Sequence, residues 1–314
     1  MTTAELYRTV GPYEVHSPEW HAHRRSCIGA SEVAGILGVD GAYSTALEIW
    51  ADKVGQAPQE DEGSEKEWLH FGQVLEPIIA NEFERRAGYT VEPEGRQFVS
   101  VAHPWLGCSL DYWCFQHRQA TKKQPPMYPL ELKNTGSFMS HRWKEGVWLP
   151  YQIQVQVQMA VTGADQAAVA VLIGGNEFKW AMVDRNQRFI DAMMEKLERF
   201  WELVERDEMP DVTGADTKLV GVLLGKEEAG TSVALLGPWV DVDEELQSIK
   251  AEIKEKNKRK SLLEARLKKE IGVNERGVLP GGVQYTFKTI KRPGYTVQDS
   301  ESRQLRRIKG GKSG

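Results

Sequence analysis

Three side chains near the middle of this sequence have the types and spacing for chemistry on a phosphate: Asp111, Glu131 and Lys133. The run YPLELKN at 128–134 alternates Leu130 and Leu132 with Glu131 and Lys133, the period of a strand. Side chains two apart on a strand share a face, so Glu131 and Lys133 project together. Asp111 falls in the run LGCSLDYWCF (106–115), read as a second strand bordered by apolar residues. Two carboxylates brought together, with an adjacent backbone carbonyl, make a hard all-oxygen site suited to Mg²⁺ or Mn²⁺. A lysine beside it can orient a metal-bound water or stabilise charge developing on phosphate. On its own the pattern is weak. D…ExK arises by chance in most chains of this length, and a strand-borne Glu–Lys pair is ordinarily a solvated face.

The neighbouring segments raise its weight. WHAHRRSCIGASEVAGILG (20–38) joins adjacent arginines to a helix start with Ser31 as cap and Val33, Ala34 and Leu37 on one face. A helix N-terminus with Arg24 and a serine hydroxyl nearby suits a phosphate. The competing reading is an ordinary capped helix with surface arginines. Glu76, in FGQVLEP, sits on a helix read over 68–87, with Leu69, Val74, Leu75, Ile78, Ile79 and Phe83 as its apolar positions and Gly88 as its stop. The stretch 151–161 could be a helix, yet Gln154, Gln156 and Gln158 alternate with Ile153, Val155 and Val157, by pattern alone a half-buried strand with a wet glutamine face.

The remaining elements must position these residues. TVEPEGRQFVSV (90–101) reads as β structure, and 116–127 as a loop. QAAVAVLI (166–173), the turn GGN and EFKWAMV (177–183) read as a hairpin. Residues 188–208 form an amphipathic helix with Phe189, Met193, Leu197, Phe200, Trp201 and Val204 inward. The texture changes after Pro210. Residues 211–242 read as a Gly-rich linker and 243–293 as a helical plus short β extension. Residues 294–314 are a basic tail for which disorder is the favoured reading. In the extension, Leu246, Ile249, Ile253, Leu263 and Leu267 have heptad-like spacing interrupted by Lys256 and Lys260. That favours a solvated helix or a short helical hairpin over a long coiled coil.

Composition sets outer bounds. The 314 residues are 40% hydrophobic and 27% charged, enough chain for one sizeable core and an appendage. No run of eighteen apolar residues is present, and the first ten residues lack a secretion-signal pattern, so a cytoplasmic location without a membrane is expected. Cys27, Cys108 and Cys114 are too few for a disulfide framework or a four-thiolate cluster, and buried free thiols are expected. The net charge of −5 argues weakly against nucleic acid. Residues 288–314, however, carry eight Lys or Arg against two acids, a net +6 that leaves −11 for the rest.

Taken in order, these segments resemble the YqaJ-like viral recombinase family, related to the phage lambda exonuclease. The likeness runs from about Glu19 to Pro210. It rests on W-H-x-x-R with I-G-A-S, G-x-x-x-E-P, H-P-W-L-G-x-S-x-D, E-L-K, Q-V-Q-x-Q-M and a closing F-W-E-L-V helix. The resemblance implies an α/β fold with a PD-(D/E)xK restriction-endonuclease-like core, a central mixed sheet flanked by helices, with the nuclease domain over 1–210. It implies that Asp111, Glu131 and the Leu132 carbonyl hold metal, as two Mg²⁺ ions for which Mn²⁺ can substitute. Lys133 would act on the attacking water, Glu76 would support the metal or the lysine, and Gln154 would orient active-site groups. Arg24 and Ser31 would hold the 5′ phosphate of a DNA end. The glutamine segment becomes helical, against its pattern. The implied activity is 5′→3′ exonuclease action on double-stranded DNA ends, leaving 3′ strands for recombination in a bacterial or phage-infected cell. The implied partners are a single-strand annealing protein and other copies of the chain in a trimeric ring. An endonuclease on the same core and a catalytically silent end-binding scaffold are the alternatives. Two departures stand out. Leu110 replaces the signature proline before Asp111, and the second phosphate-contacting arginine of the lambda enzyme has only Arg142 as a candidate.

Overall fold

The alternating run around Glu131 becomes the middle strand of a five-stranded sheet. The computed structural model describes residues 6–13, 17–58, 67–116, 127–292, 294, 305 and 307. The chain divides into two units, Met1–Gly225 and Lys226–Gly314. In the first unit the order is β1 (Tyr7–Val10), α1 (Pro18–Arg25), β2 (Ile28–Gly29), α2 (Val33–Ile36), α3 (Ala46–Lys53) and α4 (Glu67–Ala87). There follow β3 (Tyr89–Pro93), β4 (Gln97–Ser100), β5 (Leu106–Ser109), β6 (Tyr112–Gln116), β7 (Met127–Thr135), α5 (Leu149–Thr162), β8 (Gln166–Ile173), β9 (Glu177–Asp184), α6 (Gln187–Glu205) and α7 (Thr217–Leu223). The second unit holds α8 (Pro238–Ile271) and the pair β10 (Arg276–Val278) and β11 (Gln284–Thr286).

The large sheet has the order β3-β6-β7-β8-β9, with β7 and β8 parallel and the other pairs antiparallel. A smaller sheet, β1-β4-β5-β2, lies beside it in sequence. This mixed α/β architecture, with sheets flanked by helices, is the fold class expected from the sequence. The parallel step from β7 to β8 requires a crossover, and α5 supplies it.

Two runs read as continuous β structure break where the chain changes sheets. Residues 90–101 divide into β3 in the large sheet and β4 in the small one. Residues 106–115 divide into β5 in the small sheet and β6 in the large one, so Asp111 lies between strands and not within one. The two crossing points meet: the Glu94 N–H donates to the Asp111 carbonyl at 3.1 Å.

Helix α5 shows why its sequence imitates a strand. Ile153, Val157 and Val161 enter one core cluster, while Tyr151, Val155 and Met159 enter another under β8. With both sides buried, two i, i+4 series interleave and produce alternation in a true helix. Gln156 caps neighbouring backbone, donating to the Asp184 carbonyl at 2.7 Å and accepting from the Asn186 N–H at 2.9 Å.

Other expectations shift in detail. Ser31 is not a cap: Ala30–Glu32 form a 3-10 turn before α2, and the Glu32 carboxylate takes the Gly29 N–H at 2.8 Å. Helix α4 buries Ile79, Ala80 and Phe83, but Val74 and Ile78 face solvent. Gly88 ends it with a positive φ of 72°. The hairpin β8–β9 and helix α6 form as read, with Met193, Leu197 and Phe200 buried. The stretch expected as linker over 211–242 contains a 3-10 turn at Gly214–Asp216, α7 and the start of α8. Leu219, Val220 and Leu223 of α7 pack against the same core cluster as α6. Of the two readings of the extension, the single helix holds and the helical hairpin does not: α8 runs unbroken for 34 residues, and β10 and β11 follow it. Most of the basic tail lies outside the described residues. The three cysteines are buried and unpaired.

Candidate active site

Strand β7 carries Glu131 and Lys133 on one face, as alternation requires, and their side chains form an ion pair. Leu130 and Leu132 point to the opposite face, into the core under α4. Asp111 reaches β7 from the sheet crossing and accepts the Leu132 N–H at 2.7 Å. The two carboxylates thus flank one peptide of β7.

Helix α5 closes the site from the other side. Gln154 and Gln158, one turn apart, donate to the two oxygens of Glu131, each at 2.6 Å. Gln158 also donates to the Ser109 carbonyl at 3.2 Å, while its own Oε1 is buried with no hydrogen-bond partner among the described residues. The Lys133 ammonium lies 4.8 Å from the centre of the Tyr151 ring, and the Tyr151 hydroxyl hydrogen-bonds that of Tyr43. Arg142 stacks on Trp148 at 4.3 Å, and Trp148 in turn meets both tyrosines edge-on.

The electrostatics are those of crowded like charge. Burial and the nearby Glu131 push the Asp111 carboxyl well above the usual carboxylate range; Glu76 adds to this and Lys133 opposes it. Glu76, half-buried on α4, is likewise raised by burial and by Glu131. Burial would lower the Lys133 pKa, but Glu131 and Asp111 outweigh it and hold the lysine protonated above its ordinary value.

Arg24 and Ser31 line a cleft of about 90 Å³ together with Trp20, Gly29, Ser109 and Gln154. The cleft therefore joins the arginine to the glutamine that holds Glu131. The buried Glu32 and Lys53 line it too and form an ion cluster with the exposed Arg24. Glu32 accepts from Arg24 at 2.8 Å, from the Lys53 ammonium at 2.8 Å and from Gly29, and Lys53 also donates to the Arg24 carbonyl at 2.7 Å. The structure brings all the expected side chains into one region: Asp111, Glu131, Lys133, Glu76 and Gln154 at the carboxylates, Arg24 and Ser31 along the cleft. Gln158, Tyr151, Glu32 and Lys53 were not singled out for roles. Gln158 was legible in principle, since it lies four residues after Gln154 on a helix; the Glu32–Lys53 pair spans two separate elements and gives no local signal.

Residues 19–165 match the model of the YqaJ-like viral recombinase domain. That match spans 147 of the 314 residues, so this part of the chain is similar to the YqaJ-like domain. The chain is 29% identical over 286 residues to the protein of Bacillus subtilis (strain 168) described as uncharacterized protein YqaJ, covering 88% of this chain and 85% of that one. Among solved structures it is similar to an alkaline exonuclease, LHK-Exo, from Laribacter hongkongensis, with a TM-score of 0.48, 18% identity, and coverage of 61% of this chain and 94% of that one. It is also similar to a phage related exonuclease from Haemophilus somnus 129PT, with a TM-score of 0.43, 14% identity, and coverage of 57% and 94%. All the site residues named above lie within residues 19–165, the part that matches that family model.

The donor set suits a divalent cation. The oxygens of Asp111 and Glu131 are hard ligands, and their mutual repulsion is what a cation relieves. Among the described residues no group of three or more His, Cys, Asp or Glu is placed to hold an ion. An ion here would rest on two carboxylates, backbone carbonyl and water, the sparse protein ligation that Mg²⁺ accepts.

Proposed function

We propose that the chain is a metal-dependent exonuclease that degrades double-stranded DNA from its 5′ ends. The observation that carries this reading is the pairing of Asp111 and Glu131 across one peptide of β7 with Lys133 beside them, where Glu131 is held by Gln154, a residue that lines the cleft with Arg24. The match to the YqaJ-like viral recombinase domain and the exonuclease names of the similar structures point the same way.

In this reading Asp111, Glu131 and the Leu132 carbonyl would hold two Mg²⁺ ions, for which Mn²⁺ could substitute. Bound there, the metal supplies Lewis-acid chemistry, a more nucleophilic water and a stabilised leaving oxygen. The chain's own groups do the rest. Lys133 stays charged and steadies the negative charge that builds on the phosphate. Gln154 and Gln158 fix both oxygens of Glu131, so its lone pairs are aimed before substrate arrives. Glu76 supports the pair from α4. Arg24, braced by Glu32, and the Ser31 hydroxyl receive the terminal 5′ phosphate, which sets the polarity. The partners in this reading are a single-strand annealing protein for the 3′ strand and further copies of the chain in a ring.

Lys133→Ala tests the chemistry: hydrolysis falls by at least about a hundredfold while binding to duplex DNA, followed by fluorescence anisotropy, persists. Arg24→Ala tests the polarity, abolishing the preference for 5′-phosphorylated over 5′-hydroxyl ends. An Arg24→Ala protein that keeps that preference overturns the end-recognition role.

A further inference from the structure

Helix α8 carries Val242, Leu246, Ile249, Ile253, Leu263 and Leu267 at alternating spacings of four and three, with Lys256 and Lys260 filling the two positions between. That is the 3.5-residue period of a coiled-coil seam. A helical hairpin would have closed the seam on itself, but α8 runs unbroken from Pro238 to Ile271. Its seam is open to solvent: Val242, Leu246, Ile249, Ile253 and Leu263 are between 37% and 53% exposed. We propose that α8 pairs with α8 of a second copy of this chain as an antiparallel two-helix coiled coil.

The lysines decide the orientation. In a parallel pair Lys256 would face Lys256 and Lys260 would face Lys260, two successive layers of like charge. In an antiparallel pair centred between Lys254 and Glu255, Val242 faces Leu267, Leu246 faces Leu263, Ile249 faces Lys260 and Ile253 faces Lys256. Each lysine then meets an isoleucine, lays its stem along it and reaches the rim with its ammonium. The lysines already lean toward rim carboxylates, Lys256 to Glu252 at 3.9 Å and Lys260 to Glu264 at 3.5 Å.

The flanking charges agree with this register. One edge of the seam is acidic in its first half, with Glu245 and Glu252, and basic in its second, with Arg259 and Arg266. Antiparallel pairing sets Glu245 beside Arg266 and Glu252 beside Arg259, each twice by symmetry. On the other edge Lys250 meets Asn257, and Asp243 meets Glu264. That last pair is of like sign, yet both members are neutralised within their own chain, Asp243 by Arg307 at 2.9 Å and Glu264 by Lys260. A face complementary to its own reverse specifies another copy of itself.

The test is made on the full chain. Light scattering after gel filtration gives a mass that falls twofold on Ile249→Asp with Ile253→Asp, with helix content by circular dichroism retained. The twofold drop is expected whether the first unit is monomeric or forms a ring, so failure of the ring and failure of this pairing are read separately. An unchanged mass overturns the proposal. Leu246→Cys and Leu263→Cys proteins cross-link when mixed and oxidised, whereas neither cross-links to itself through the new thiol. Self-cross-linking of Leu246→Cys shows a parallel pair and overturns the register.

Discussion

Asp111 is placed where a lone carboxylate is least comfortable. It is half-buried beside the buried Glu131, and the Leu132 N–H is the compensation it receives from the backbone. A carboxyl whose pKa is raised on folding is destabilising in its charged form, so at neutral pH the metal-free fold carries a cost at this position. Asp111→Asn removes the charge and keeps an oxygen for the Leu132 N–H. The variant is expected to lose nuclease activity yet to unfold at a higher temperature than the wild type without metal, by roughly 2–4 °C for each kcal/mol recovered. Mg²⁺ in turn is expected to raise the Tm of the wild type more than that of the variant. A variant that melts lower than the metal-free wild type would remove the electrostatic argument for a cation site. Such a site is stabilised for function at the expense of the fold, a common arrangement where charge must be concentrated.

At the scale of elements, the Glu32 cluster ties α1, the turn before α2 and the end of α3 together. Burial alone would raise the Glu32 pKa, but Lys53, Arg24 and the Gly29 N–H outweigh it and leave it lowered. A depressed folded-state pKa gives stability that is full above the ordinary value of 4.5 and is lost as pH falls through the folded one. Glu32→Gln is expected to destabilise the protein at neutral pH by about 3–5 kcal/mol, because the Lys53 charge is left buried and uncompensated. The Tm difference between the two proteins should shrink below pH 4.5; a difference constant down to pH 3 would show that Glu32 is not the titrating group. The sequence made some elements easy to read and others not. Strand β7, the hairpin β8–β9 and helix α6 follow single periodicities and were legible. Helix α5 was ambiguous by pattern, because burial on both sides gives a helix the alternation of a strand; the resemblance decided for the helix. The position of Asp111 between strands was hidden too, since a switch from one sheet to another leaves the apolar run unbroken. Glu131 and Lys133 were legible as a pair on one face, whereas the bonds from Gln158 and the brace of Glu32 and Lys53 depend on tertiary contacts.

At the scale of the molecule, the first unit ends at Gly225 and not where the sequence changes texture after Pro210. The intervening segment belongs to the core: α7 packs beside α6, and Asp216 accepts the Thr45 hydroxyl at 2.5 Å, reaching the start of α3. A chain cut after Gly225 is expected to unfold cooperatively and keep metal-dependent nuclease activity, whereas a chain cut after Pro210 should unfold at lower denaturant. Equal stability of the two fragments would show that α7 adds nothing to the core. The central claim concerns where hydrolysis begins, and one assay reaches it directly. Purified full-length protein with Mg²⁺ is given the same duplex as a linear molecule with 5′ phosphates, as a linear molecule with 5′ hydroxyls and as a closed circle, and released nucleotides are measured over time. The account predicts steady release from the 5′-phosphorylated ends, slower release from the 5′-hydroxyl ends, no cutting of the circle and no release when EDTA replaces Mg²⁺. Cutting of the circle at the rate of the linear DNA would contradict it.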